Sequence, residues 1–194
     1  MTRAFVFVTG ALVACLSLAP QTGFALAAHS CAPAPTPVVQ LAYGSRYIDD
    51  DQSRSVIDPQ SNAAVNAALK PIDAFIRELS RQANQVTRED GRNAKGADCV
   101  VERLAQWARA GALSDLETIT ANFSVGSRLA GFALAYRQVR DHSDLTADHQ
   151  VIEDWLRQHA HAQMLFWEED ATYGAKRGNL RAWATLAINV IGEL

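Results

Sequence analysis

The sequence has no run of basic residues and no helix with a basic face. Lysine and arginine number 18 against 21 acidic residues, for a net charge of -3. That balance gives nucleic acid no electrostatic footprint, so no nucleic-acid partner is expected. There is no glycine-rich phosphate loop and no Gly-x-Ser-x-Gly nucleophile elbow, which removes the usual signals for nucleotide binding and for a serine hydrolase. No segment alternates apolar and polar residues with a period of two, and no internal repeat stands out. The expected class is therefore all-α. Cysteine is scarce at 3 residues. Among the histidines, His159 and His161 project to different faces of a helix and make poor joint ligands. His142, His149 and Asp148 add no metal-ligand spacing, and no metal or cofactor is expected. Surface or capping roles are expected for these histidines.

The only long apolar run lies at the N-terminus. Arg3 supplies a positive start, residues 4–19 an apolar stretch, and Ala25-Leu26-Ala27 small residues at a cleavage spacing. Residues 1–27 read as a signal peptide, with the mature chain starting near Ala28 or His29 and no membrane span after cleavage. This predicts an exported, periplasmic protein. Leu12-Val13-Ala14-Cys15 offers lipoprotein anchoring as an alternative. After standard cleavage Cys31 and Cys99 remain, an even number in an oxidising compartment, which predicts a disulfide. Two unrelated buried thiols are the alternative.

Residues 28–57 read as a Pro- and Ala-rich extended arm followed by a polar loop carrying Asp49-Asp50-Asp51. Residues 58–194 read as helical. Asp58-Pro59 is a cap and first-turn proline. Val65, Leu69, Ile72, Ile76, Leu79, Ala83 and Val86 then recur every three or four residues and define one apolar face. Pro71 predicts a kink or a break there. A polar loop is expected over 87–96, and a helix from Ala97 to Ala110 with Gly111 as its stop. Ser114-Asp115-Leu116-Glu117 reads as a capping box opening a helix that runs to about Arg140. Further helices are expected to about Leu165 and from Asn179 onward, with residues 167–178 as a loop. The last apolar helix runs to Leu194, which predicts that the chain is the N-terminal part of a longer protein.

Four motifs in order carry a resemblance. They are Ser45-Arg46-Tyr47, Cys99 with Trp107-Ala108-Arg109-Ala110-Gly111-Ala112-Leu113, Ile152-Glu153-Asp154-Trp155, and Asn179-Leu180-Arg181-Ala182-Trp183-Ala184. In order and spacing they resemble the alginate-lyase-type polysaccharide lyases. The resemblance implies an incomplete α/α toroid of antiparallel helical hairpins, with a groove for an acidic uronate polysaccharide such as mannuronan or glucuronan. It implies β-elimination. The C6 carboxylate is neutralised, a base takes the C5 proton, and an acid protonates the leaving O4.

By this resemblance Asn179 handles the carboxylate, and Arg46 and Tyr47 belong to a lid over the bound sugar. Trp183 and Arg181 are candidates for sugar stacking and for contact with the acidic substrate. The family's histidine position holds Leu180, which transfers no proton, and its acid tyrosine and second arginine are placed further along than Leu194. Plainer roles stand beside each assignment. Asn179 fits a helix cap, Arg46 a surface ion pair, and Arg181 solvent. Trp183 shares its spacing with Leu180 and Ala187 and fits the core, as do Trp107 and Trp155. Three functions remain: a lyase, a non-catalytic polysaccharide binder used in export or assembly, and a helical domain with no saccharide role.

Overall fold

The computed structural model describes residues 31–51 and 53–194; the expected signal peptide and Cys15 lie outside them. Five α-helices make up the described chain. They are α1 (Pro59–Arg88), α2 (Ala94–Arg109), α3 (Ile119–Arg137), α4 (Thr146–Leu165) and α5 (Asn179–Gly192). The class is all-α, as the absence of period-two patterning predicts. Among the described residues no helix is long and apolar enough to cross a membrane.

Asp58 caps α1 through its side chain, which accepts from the Ser61 amide at 2.7 Å. The helix continues as one element through Pro71, so the expected break does not occur. Its buried face is Val65, Leu69, Ile72, Phe75, Leu79, Ala83 and Val86. Phe75 takes the place expected of Ile76, which packs at the edge of the core. The polar linker after α1 is shorter than predicted, because Asn93 caps α2 three residues early by accepting from the Gly96 amide at 2.8 Å. Gly111, at φ +64°, ends α2 in the left-handed region that glycine adopts without a steric penalty.

The capping box at Ser114 does not form. Asp115–Leu116 instead pairs in parallel with Gln40–Leu41 of the arm, giving two-residue strands β1 (Gln40–Leu41) and β2 (Asp115–Leu116). The start of α3 is displaced to Ile119, with Thr118 as cap. Its hydroxyl accepts from the Ala121 amide at 3.2 Å and donates to the Tyr43 carbonyl at 2.8 Å. The helix stops at Arg137, and a 3-10 turn, Arg140–His142, precedes α4. The expected loop after α4 is partly ordered as a π-turn, Phe166–Asp170, and a 3-10 turn, Ala175–Arg177.

The arm is bound along its length. Cys31 and Cys99 form the expected disulfide. The Trp107 indole donates to the Pro35 carbonyl at 2.8 Å, and the Leu113 amide donates to the Val38 carbonyl at 2.8 Å. Phe75, Trp107, Phe132 and Trp155 form an aromatic centre in which α1 to α4 each supply one ring. A second, smaller apolar cluster of Phe123, Phe166, Trp167, Ala171 and Ala184 lies beneath the start of α5.

Candidate functional site

Two close approaches set the position of α5. A Cβ on Gly126 would lie 2.8 Å from the Ala184 Cα, so α3 and α5 meet backbone to backbone at this point. Phe123, one turn earlier on α3, packs against Phe166 and Trp167 with ring centroids 5.2 and 5.5 Å away. The N-terminus of α5 is thereby held over α3, facing the arm and the 45–58 loop.

A cavity of about 310 Å³ opens between these elements. Arg46, Tyr47, Asn179 and Leu180 all line it, so three of the sequence-predicted site residues meet there together with the leucine at the family's histidine position. Asn179 is the first residue of α5. The cap is Gly178 and no side chain caps this helix, so the plain capping role is not the one Asn179 fills. Its amide makes no hydrogen bond to any described residue, and the residue sits at a helix N-terminus, which favours negative charge.

Arg181 and Trp183 do not reach this cavity. The Arg181 guanidinium donates to the Lys176 carbonyl at 3.2 Å, folding back on the preceding turn. Trp183 is 48% exposed and Leu180 38% exposed, which corrects the expectation that their spacing made them core. The buried stripe of α5 is Ala184, Ala187, Val190 and Ile191, and Trp183 lies beside it on the open side. Trp107 and Trp155 are core, as expected. His159 is not a surface histidine. It is buried, donates to the Ala112 carbonyl at 2.9 Å, and burial lowers its imidazole pKa.

Four further residues of the cavity were not singled out by sequence reasoning. Arg128 of α3 is held by Asp73 of α1 through two parallel bonds, Nε to Oδ1 at 2.9 Å and Nη2 to Oδ2 at 3.0 Å. Its Nη1 also donates to the Ser124 carbonyl at 3.1 Å, so the guanidinium plane is fixed. Tyr43 and Ser124 share a hydrogen bond between their hydroxyls. Burial pushes the Tyr43 phenol up, against the Ser124 hydrogen bond and the nearby charges of Arg128 and Arg46. Tyr43 is therefore a protonated donor at neutral pH, not a base. Arg54 is the fourth. The available signal for Arg128 was its position as the one cation in the apolar interior of α3, between Ile119 and Tyr136.

The loop above the cavity is built by Asp51. Its carboxylate accepts from the amides of Ser53, Ser55 and Val56 at 3.0, 2.5 and 2.6 Å. The Ser53 side chain and the amides of Val56 and Ser55 hold the Asp51 carboxyl well below the usual carboxylate range. Tyr47 pairs with Ile57 in an antiparallel bridge, and the Asp58 amide donates to the Arg46 carbonyl at 2.9 Å. The lid-like segment is thus closed on itself and anchored at the cap of α1. Three arginines line the cavity, and of these Arg128 is paired with Asp73 behind it, which leaves a local positive excess in a chain of net charge -3.

No family model matches the chain. It is similar to a polysaccharide lyase of Stenotrophomonas maltophilia, 26% identical over 91% of this chain and 53% of that protein. An alginate lyase of Pseudomonas putida is 27% identical over 72% of this chain and 39% of its own length. A second P. putida alginate lyase, from another strain, is 36% identical over 43% of this chain and 22% of its own length. The chain thus spans about half the length, or less, of the curated relatives it matches. Together with the order of the four motifs, these relatives establish an alginate lyase-like relationship for this chain.

Proposed function

We propose that the chain recognises an acidic uronate polysaccharide in the cavity under the 45–58 loop, and that it serves cleavage of that polymer by β-elimination as an exported, periplasmic protein. The observation that carries this reading is the convergence of Arg46 and the uncommitted amide of Asn179 on one positively biased cavity. An incomplete α/α toroid is the architecture that goes with it.

The chemistry assigns each group a task. A base takes the C5 proton, the C5–H electron pair forms the C4=C5 double bond, the C4–O4 bond breaks with its electron pair passing to O4, and an acid protonates O4. Charge builds on the C6 carboxylate as C5 loses its proton, so donors aimed at that carboxylate lower the barrier. The Asn179 amide and the Arg46 guanidinium supply such donors. Arg128 contributes less, because Asp73 already takes up its charge. Tyr43 and Tyr47 present phenols to the same space, with Tyr43 kept protonated by burial. Leu180 lines the cavity where the resemblance has histidine, so a histidine-dependent route is closed and proton transfer falls to the tyrosine that the resemblance assigns, a residue other than Tyr43 and Tyr47.

Leu180 also favours a second reading, a non-catalytic relative that holds polysaccharide during export or assembly. One experiment separates the two. The full-length protein is incubated with mannuronan and with glucuronan over a range of pH, and absorbance of the unsaturated uronate is followed alongside binding. A rise in absorbance supports elimination. Binding without a rise at any pH supports the holding role. Neither binding nor a rise overturns both.

A further inference from the structure

Arg54 stands apart from the other cavity residues in how it is placed. It has φ +52°, the left-handed region that arginine adopts only where surrounding structure holds it. That structure is present on both sides. The Arg54 amide donates to the Asp51 carbonyl at 3.0 Å, and the Asp51 carboxylate takes the amides of Ser53 and Ser55 that flank it. The Ile48 amide then closes the loop on the Val56 carbonyl at 3.1 Å. The loop thus fixes the backbone of one exposed arginine in an otherwise unfavourable conformation, and that arginine lines the cavity.

No carboxylate pairs with Arg54 among the described residues, although Asp49, Asp50 and Asp51 share its loop. Asp51 is consumed by backbone amides, and neither of the others comes within ion-pair distance of Arg54. Arg46, from the opposite limb of the same loop, is likewise without a carboxylate partner, whereas Arg128 is neutralised by Asp73. The cavity therefore presents two uncompensated guanidinium groups from two limbs of one loop. One uronate has one carboxylate, and Arg46 with Asn179 already provides for it.

Resting on the uronate reading above, we infer that Arg54 binds the carboxylate of the neighbouring sugar, so that the site selects polymers carrying a carboxylate on every residue over polymers in which uronate alternates with a neutral sugar. Arg54 is then a specificity-determining residue, whose loop geometry is maintained by Asp51.

The test is calorimetric titration of the chain with a mannuronan hexasaccharide and with a hyaluronan hexasaccharide, where uronate alternates with a neutral N-acetylated sugar. The variant is Arg54→Gly, because glycine adopts φ +52° freely and leaves the loop intact; its melting temperature stays close to that of the parent chain. The parent chain is expected to prefer the mannuronan probe. Arg54→Gly is expected to weaken mannuronan binding about tenfold, the loss of one charge-assisted contact, and to leave hyaluronan binding unchanged. The slope of log K against log salt for mannuronan should become shallower, since one fewer charged contact is made. Equal weakening for both probes, or no weakening for either, overturns the assignment while leaving the uronate reading standing. A parent chain that binds neither probe overturns the uronate reading and this inference with it.

Discussion

Replacing Gly126 by alanine tests the packing that places Asn179. The new methyl carbon would sit 2.8 Å from the Ala184 Cα and 3.0 Å from both its Cβ and its amide nitrogen. Carbon contacts are comfortable at about 3.5–4.0 Å. Ala184 is buried and its backbone belongs to α5, so relief comes only from separating the two helices. Overpacking of this kind costs about 1–3 kcal/mol. Removing a glycine from a helix interior returns about 0.5–1 kcal/mol. Because the blocking atoms are mainly backbone, the overpacking cost falls in the upper half of its range, and the net expectation is destabilisation of about 1–2.5 kcal/mol, or about 2–10 °C in Tm for a domain of this size. Urea unfolding followed by circular dichroism measures it. Gly131→Ala is the matched control on the same helix. Its added carbon meets the Ile76 Cγ2 at 2.7 Å, with the next Ile76 atom at 3.5 Å, so a side-chain shift relieves the clash. That variant should lose less than Gly126→Ala. Because Gly126→Ala also displaces the start of α5, uronate binding should weaken in it and not in Gly131→Ala. A Gly126→Ala protein as stable as the parent, or more so, refutes the reasoning that backbone contact between α3 and α5 sets this geometry.

Removing the disulfide by a Cys31→Ala, Cys99→Ala double change frees a closure spanning 68 residues and should cost about 4 kcal/mol on the chain-entropy model, read as a shift in the urea midpoint. His159 makes stability fall in acid. Burial lowers its pKa from the ordinary 6.5, so below that value the unfolded chain binds a proton the folded chain resists, and stability drops as pH falls. His159→Gln should flatten the dependence of the urea midpoint on pH between about 7 and 5. Asp51→Ala should raise the rate of limited proteolysis within residues 49–57 and leave the global unfolding midpoint unchanged, because the clamp it removes is local to an exposed loop.

How much of this was legible in the sequence depends on how far apart the cooperating residues lie. The apolar spacing from Val65 to Val86 is a local signal, and α1 follows it with only Ile76 and Phe75 exchanged. The start of α3 was misread because Ser114 offers a sound local cap. What overrides it is pairing of Asp115 and Leu116 with an arm about 75 residues earlier, the separation also bridged by the Thr118 to Tyr43 bond. No local window carries that. Arg46, Tyr47 and Asn179 were legible through motif order. Tyr43, Ser124, Arg128 and Arg54 were not, since each acquires its role only when the arm, α3 and the loop come together. Trp183 shows the opposite failure. Its helical spacing with Ala187 matches a core stripe, but the stripe on α5 is narrow and ends at Ala184, leaving the indole half exposed.

The central claim is that Asn179 and Arg46 hold a uronate carboxylate. Its most direct test is the affinity of a mannuronan oligosaccharide for the parent chain, for Asn179→Ala and for Arg46→Ala, with circular dichroism establishing that each variant is folded. Both variants are predicted to bind at least about tenfold more weakly than the parent, the cost of one lost charge-assisted contact each. Parent-like affinity in both folded variants would contradict the claim.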